Sequence, residues 1–205
     1  MHKKGFFLLE ARCYLLLLWG TTFIVIIVSD DIFLNLLLLA VNFIVGYIFY
    51  IPKRTPFETS TSAIIAPVDG VVRSIEKFDK KTFIKIDKSL FGSNAIYSPV
   101  DGTIKSYNIK HGLFLDPLDP KSNHLNESGV IIYQCSDHII KLYFKCGFYS
   151  LGLLNTLYKD RVATGDFQLY MIDGTITVEL PEHIKIEVAI GDKLLGGYSL
   201  LSYIK

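Results

Sequence analysis

The chain has 205 residues, 50% of them hydrophobic and 20% charged, with a formal net charge of +1. That is enough for one modest domain, and a near-neutral balance without a basic run of five residues excludes an electrostatic footprint for nucleic acid. Disorder, collagen and a disulfide scaffold are excluded by composition, and Cys13, Cys135 and Cys146 form no CxxC pair, which fits a reducing compartment.

The hydrophobic excess lies before residue 52. From Cys13 to Val28 the chain reads CYLLLLWGTTFIVIIV, and the run extends back to Phe6 if Glu10 and Arg12 sit at headgroups. Its length is close to the ~20 residues that cross a bilayer. A second run from Ile32 to Ile51 is interrupted only by Asn35, Asn42 and Gly46, which a helix pair can satisfy internally. Ser29-Asp30-Asp31 is a turn short enough for two antiparallel spans, and Pro52 stops the second. The expectation is a transmembrane hairpin over residues 1–52, with spans at about 6–28 and 32–51. His2, Lys3 and Lys4 precede it, Lys53 and Arg54 follow it, and the turn is acidic. The positive-inside rule then puts both termini, and the rest of the chain, on the cytoplasmic or matrix side. A signal peptide would need a small-residue cleavage site after the first run, and two soluble core helices would not be split by Asp30 and Asp31.

Residues 53–65 include the Ser/Thr-rich FETSTSA and are expected to be a linker. From 66 to 205, short β-branched and aromatic runs alternate with Asp-Gly and Gly-Asp pairs, an all-β signature. APVDGVVRSI at Ala66–Ile75 recurs as SPVDGTIKSY at Ser98–Tyr107, with glycine supplying each corner. YKDRVATGDFQLYMI near 158–172 and AIGDKLLGGYSLLSYI at 189–204 form a second pair. Together they predict a pseudo-symmetric barrel-sandwich of the lipoyl/biotinyl-carrier type. Carrier function itself needs a lysine at the hairpin tip, and Met171-Ile172-Asp173-Gly174 has none.

His2, His111, His124, His138 and His183 show no ligand spacing, so no metal site is expected. The paired histidines of sugar-phosphotransferase components and the HxH of metallopeptidases are likewise missing. His138 and His183 read as solvent-facing strand residues. Lys80, Lys81, Lys85 and Lys88, with Lys53 and Arg54, read either as a solvated face or as a surface for anionic headgroups.

Several segments, in order, resemble the short, membrane-anchored class of phosphatidylserine decarboxylases. Tyr50-Ile51-Pro52-Lys53-Arg54-Thr55-Pro56 is similar to the stretch with which the family leaves the membrane. Ala66-Pro67-Val68-Asp69-Gly70 resembles its S-P-A-D-G, and His111 to Ser128 its G-x-F-x-N-A…N-E-R segment. GDFQLYMIDGTITVELP at 165–181 resembles the region of self-cleavage and places Gly174-Thr175 over the family's Gly-Ser. In the family, the serine hydroxyl attacks the preceding carbonyl and β-elimination leaves a pyruvoyl group. That ketone forms a Schiff base with phosphatidylserine and acts as electron sink.

The resemblance implies catalytic positions at Gly174, Thr175 and Asp69, and headgroup contacts at His124, Asn126 and Glu127. FGSNAIYSPVDG at 91–102 puts Gly92 at the family's Asp, Asn94 at its His and Tyr97 at its Arg. Asn cannot take a proton at neutral pH, and Thr would leave a bulkier 2-oxobutanoyl group. GFYSLGLLNTLYK, with Phe148, Tyr149 and Tyr158, lacks the arginines of the family's A-R-R-type motif. Nucleophile, base, base partner and site arginines thus change together.

The expectation is a decarboxylase-like protein of a bacterial or mitochondrial inner membrane that has lost processing and catalysis. It would serve as a structural or lipid-binding element, with the bilayer, a phospholipid headgroup and membrane-complex subunits as partners. No cofactor is expected unless the chain cleaves at Gly174/Thr175. The alternative is a divergent carboxy-lyase making phosphatidylethanolamine, with an oxo-acyl group at Thr175.

Overall fold

Both apolar runs are helical in the computed structural model, which describes residues 5–58, 60, 62–116, 119–150, 152–155, 160–181 and 184–204, with no side-chain description at 154–155. Expectations placed on His2, Lys3, Lys4, Tyr158 and His183 fall outside the described residues. The chain divides into two units, Met1–Lys53 and Arg54–Lys205.

In the first unit, α1 runs from Arg12 to Val28 after a 3-10 turn at Leu9–Ala11, and α2 runs from Ile32 to Phe49. Asp31 caps α2, accepting from the amides of Phe33 at 2.9 Å and Leu34 at 3.2 Å. Asn42 Nδ2 donates to Thr22 Oγ1 on the facing helix at 2.8 Å, the internal satisfaction that a polar residue in an apolar helix needs. Asn35 is held at the turn instead, donating to the Ser29 carbonyl at 3.1 Å. Both helices are long and apolar enough to cross a membrane, and only 17% and 11% of their apolar windows are buried, unlike core helices of a soluble domain.

The spans are shorter than expected at their outer ends. Phe6–Phe7 and Tyr50–Ile51 pair as short antiparallel strands, Phe6 opposite Ile51 and Phe7 opposite Tyr50. Pro52 accounts for this, because the residue before a proline is driven out of helical geometry.

The second unit is mostly β. Eight antiparallel strands form one sheet in the order Arg161–Val162, Gly102–Lys110, Ser128–Cys135, His138–Cys146, Gly174–Pro181, Lys81–Lys88, Gly70–Phe78 and Lys193–Leu194. Two three-stranded sheets accompany it: Leu154–Asn155, Phe167–Tyr170 and Ala95–Tyr97, and Lys185–Ile186, Leu200–Tyr203 and Ala63–Ile65. Among the described residues the sheets are compatible with the expected sandwich, but no sheet closes on itself; the short strands end in separate three-stranded sheets.

The sequence repeat is a structural repeat. Ile65 N donates to Pro99 O at 2.9 Å and Tyr97 N to Pro67 O at 2.8 Å, each copy reaching into the other. Gly197 N donates to Ala66 O and Gly165 N to Ser98 O in the same way, and Val72 N to Asp192 O as Ile104 N to Asp160 O. Both long strands shift register just after the corner, between Val72 and Ser74 and between Ile104 and Ser106.

Residues 54–65 of the expected linker belong to the second unit. Ala63–Ile65 is a fully buried strand, and Arg54 pairs with the carboxylate of Asp69 within the same unit. Alternation sets the two faces of the large sheet. In KTFIKIDK, Thr82, Ile84, Ile86 and Lys88 are buried while Lys81, Phe83, Lys85 and Asp87 face outward. Ile84, Ile86, Ile131, Ile140, Leu142 and Val178 are fully buried in the core beneath.

The two corner glycines are steric requirements. A Cβ on Gly70 would come 2.3 Å from Asp87 O, and one on Gly102 2.3 Å from Gln134 O. Gly70→Ala and Gly102→Ala should therefore each destabilise the chain, by about 3 kcal/mol. Matching losses in thermal melting of the detergent-solubilised protein are expected, and loss at only one corner would contradict the equivalence of the two copies.

Candidate functional site

Asp69 precedes the first corner glycine, and its carboxylate is buried. It accepts from Ser93 N and Gly196 N, each at 2.7 Å, and from both terminal nitrogens of Arg54, with Nη2 at 2.8 Å from Oδ2. Arg54 Nη1 also donates to Gly196 O at 2.8 Å. Burial pushes the Asp69 carboxyl up, but the Arg54 guanidinium and the two amides outweigh it and hold the group below its ordinary value. Gly92, where the family carries an Asp, lies against this carboxylate: a Cβ there would come 2.4 Å from that of Asp69.

Beside it, Lys88 is only 6% exposed. Its Nζ donates to Asn94 Oδ1 and Ser89 O at 3.0 Å and to Ile172 O at 2.7 Å. Burial lowers the Lys88 amine to about 8, against the opposing pull of Asp69 and Asp173. Asn94 is buried; its carbonyl accepts from Met171 N at 2.8 Å, and its amide lies 3.5 Å from the Tyr170 hydroxyl. Lys88 thus joins Asn94 to the turn that leads into Gly174, with the Asp69 charge acting on its amine.

That turn is anchored by its own donors. Ser150 Oγ donates to Asp173 O at 2.7 Å and Gly147 N donates to it at 3.0 Å, while Tyr149 N donates to Asp173 Oδ2 at 3.2 Å. Gly174 starts the strand Gly174–Pro181, opposite Cys146, whose buried thiol is pushed up to about 12. Thr175 comes next, between Asp87 and Lys145, and lies on the outer face with Thr177. Among the described residues no side-chain hydrogen bond joins Thr175 to Asp69, Lys88 or Asn94.

The remaining candidates meet near Cys146. Asn126 donates to Leu115 O and Cys146 O and accepts from Leu115 N, all at 2.9 Å. Glu127 is buried, with an oxygen 2.7 Å from His111 Nδ1 and another accepting from Leu153 N at 3.2 Å. Both side chains tie loops to the sheet. His124 is exposed on the helical turn Ser122–Leu125, and its carbonyl accepts from Lys110 Nζ at 2.9 Å. Among the described residues no cluster of His, Cys, Asp and Glu is placed to hold a metal ion.

Comparison with curated proteins returns phosphatidylserine decarboxylase proenzymes. The chain is 26% identical over 164 residues to the phosphatidylserine decarboxylase proenzyme of Chlorobaculum parvum, covering 76% of this chain and 77% of that protein. It is 27% identical over 183 residues to that of Ehrlichia ruminantium (84% and 80% covered) and 27% over 176 residues to that of Geobacter sulfurreducens (81% and 80%). No family model and no solved structure matches. Over most of its length the chain is thus similar to phosphatidylserine decarboxylase proenzymes.

Sequence reasoning missed Lys88, Tyr170, Ser150 and the partner of Arg54. Lys88 had a signal: it falls on the inward parity of an alternating strand whose other inward residues are Thr82, Ile84 and Ile86. The Arg54–Asp69 pair had none, since nothing local links the two positions.

Two outcomes follow. The unfolded chain's lysines titrate near 10.5, so between pH 8 and 10.5 the unfolded state holds the extra proton and stability rises with pH. The melting-derived stability difference between the wild-type chain and Lys88→Met should therefore shift in favour of wild type by about 1 kcal/mol per pH unit across that window; a flat difference would refute the buried amine. Arg54→Met should cost about 3 kcal/mol near pH 7, because it strands Asp69 as a buried charge. Melting unchanged from wild type would refute the pair's structural role.

Proposed function

We propose that this chain is a membrane-anchored phosphatidylserine decarboxylase-like protein that has lost self-processing and catalysis. In this reading α1 and α2 form a transmembrane hairpin in a bacterial or mitochondrial inner membrane, with the β domain on the cytoplasmic or matrix side. The β domain is a divergent barrel-sandwich serving as a structural or lipid-binding subunit.

One observation carries the reading: Thr175 lies on the outer sheet face, while Asn94, at the position of the family's base, is buried with Lys88 on the inner side. A hydroxyl needs a base within hydrogen-bond reach to become a nucleophile, and an amide is no base. Asp69, the remaining member of the family's set, is fully engaged by Arg54, Ser93 and Gly196. The residues present therefore do not fit a self-made pyruvoyl group, and no decarboxylation step is assigned to them.

A second reading, a divergent working decarboxylase centred on Thr175, is favoured by Lys88. Its amine, lowered to about 8, donates to the carbonyl of Ile172, close before the Gly174-Thr175 bond. Expression in a decarboxylase-deficient bacterium separates the two. The first reading expects no phosphatidylethanolamine from the wild-type chain. Restored lipid that is lost in both Thr175→Ala and Lys88→Met would establish the second.

A further inference from the structure

On the outer face of the large sheet, the strands Lys81–Lys88, Gly174–Pro181 and His138–Cys146 lie side by side. Register sets Lys85 opposite Thr177 and Lys145 opposite Thr175. These four residues, with Ser128 and Tyr143, line a basin of about 390 Å³.

Charge on this face is sorted. Lys81 and Lys141 both pair with Glu179, at 2.9 and 3.4 Å, and Arg73 pairs with Asp87 at 3.5 Å. Lys85 and Lys145 have no carboxylate partner among the described residues; Lys145 donates to Asn123 Oδ1 at 2.7 Å. Burial, and then the positive charges of Lys85 and Arg73, hold the Lys145 amine below its ordinary value. Tyr143 is committed to Glu179 at 2.7 Å and acts as wall. The hydroxyls of Ser128, Thr175 and Thr177 make no side-chain hydrogen bond among the described residues. Two ammonium groups without a carboxylate partner and three uncommitted hydroxyls around one concavity form a donor set for a tetrahedral oxyanion.

We propose that this basin binds a phosphate ester, with the ammonium groups of Lys85 and Lys145 on its oxygens and the hydroxyls of Thr175 and Thr177 beneath. The volume leaves room for an organic substituent beyond the phosphate itself. The site stands on the two lysines in the uncut chain, so it holds whether or not Thr175 is ever processed.

Acetic anhydride labelling of the full chain in phosphatidylcholine nanodiscs, read by mass spectrometry, tests this. Lys105 and Lys193, outside the basin, serve as internal references. One arm adds inorganic phosphate; the other adds phosphatidic acid to the disc. Acetylation of Lys85 and Lys145 is expected to slow about tenfold relative to the references at saturation, and Lys85→Gln is expected to remove the protection of Lys145. Protection by inorganic phosphate identifies a soluble phosphate ester as the occupant, and protection only with phosphatidic acid identifies a lipid headgroup. Unchanged rates in both arms, or equal slowing at every lysine, would overturn the proposal.

Discussion

The carboxylate of Asp69 is the point to which the second unit is tied. Four donors converge on it, two from Arg54 and one each from Ser93 N and Gly196 N, so segments far apart in sequence are fixed to one buried charge. Removing a single partner of such a pair leaves an uncompensated charge in low dielectric, which is far costlier than losing a surface ion pair. The tight space around this charge also explains Gly92, where no larger side chain fits. Lys88 extends the network to the carbonyl of Ile172, and so to the start of the strand that carries Gly174 and Thr175.

From there the sheet separates two chemistries. On its inner face, near Gly174, Lys88 donates to Asn94 and to the carbonyls of Ser89 and Ile172, while Asp69 is satisfied by Arg54 and the amides of Ser93 and Gly196. Its outer face presents Thr175 and Thr177 among lysines. Consecutive strand residues point to opposite faces, so a residue beside Gly174 does not thereby approach Asn94.

Much of the architecture was legible beforehand, for reasons of period and repetition. The two apolar runs gave helices because their length and polar turn admit little else. The copies of P-V-D-G became corners with matching hydrogen bonds because a glycine and a register shift recur at equivalent places. Closure into a barrel was not legible, since the pairing of two- and four-residue strands is decided by distant contacts rather than by local pattern. Asp69, Asn94 and Gly174 are marked by the family resemblance, and Lys88, whose only local sign is its inward strand parity, bonds Asn94 and the carbonyl of Ile172 and feels the charge of Asp69. Asn126 and Glu127, which the resemblance marks as headgroup contacts, hold the segment from His111 to Leu115 and the amide of Leu153 against the sheet.

The central claim is that Thr175 remains an unreacted side chain on the outer face of the sheet. The intact mass of the full-length protein, purified from its membrane, tests it most directly. The account predicts one uncut chain near 23.2 kDa. Two fragments divided between Gly174 and Thr175, the second beginning with an oxo-acyl group, would contradict it.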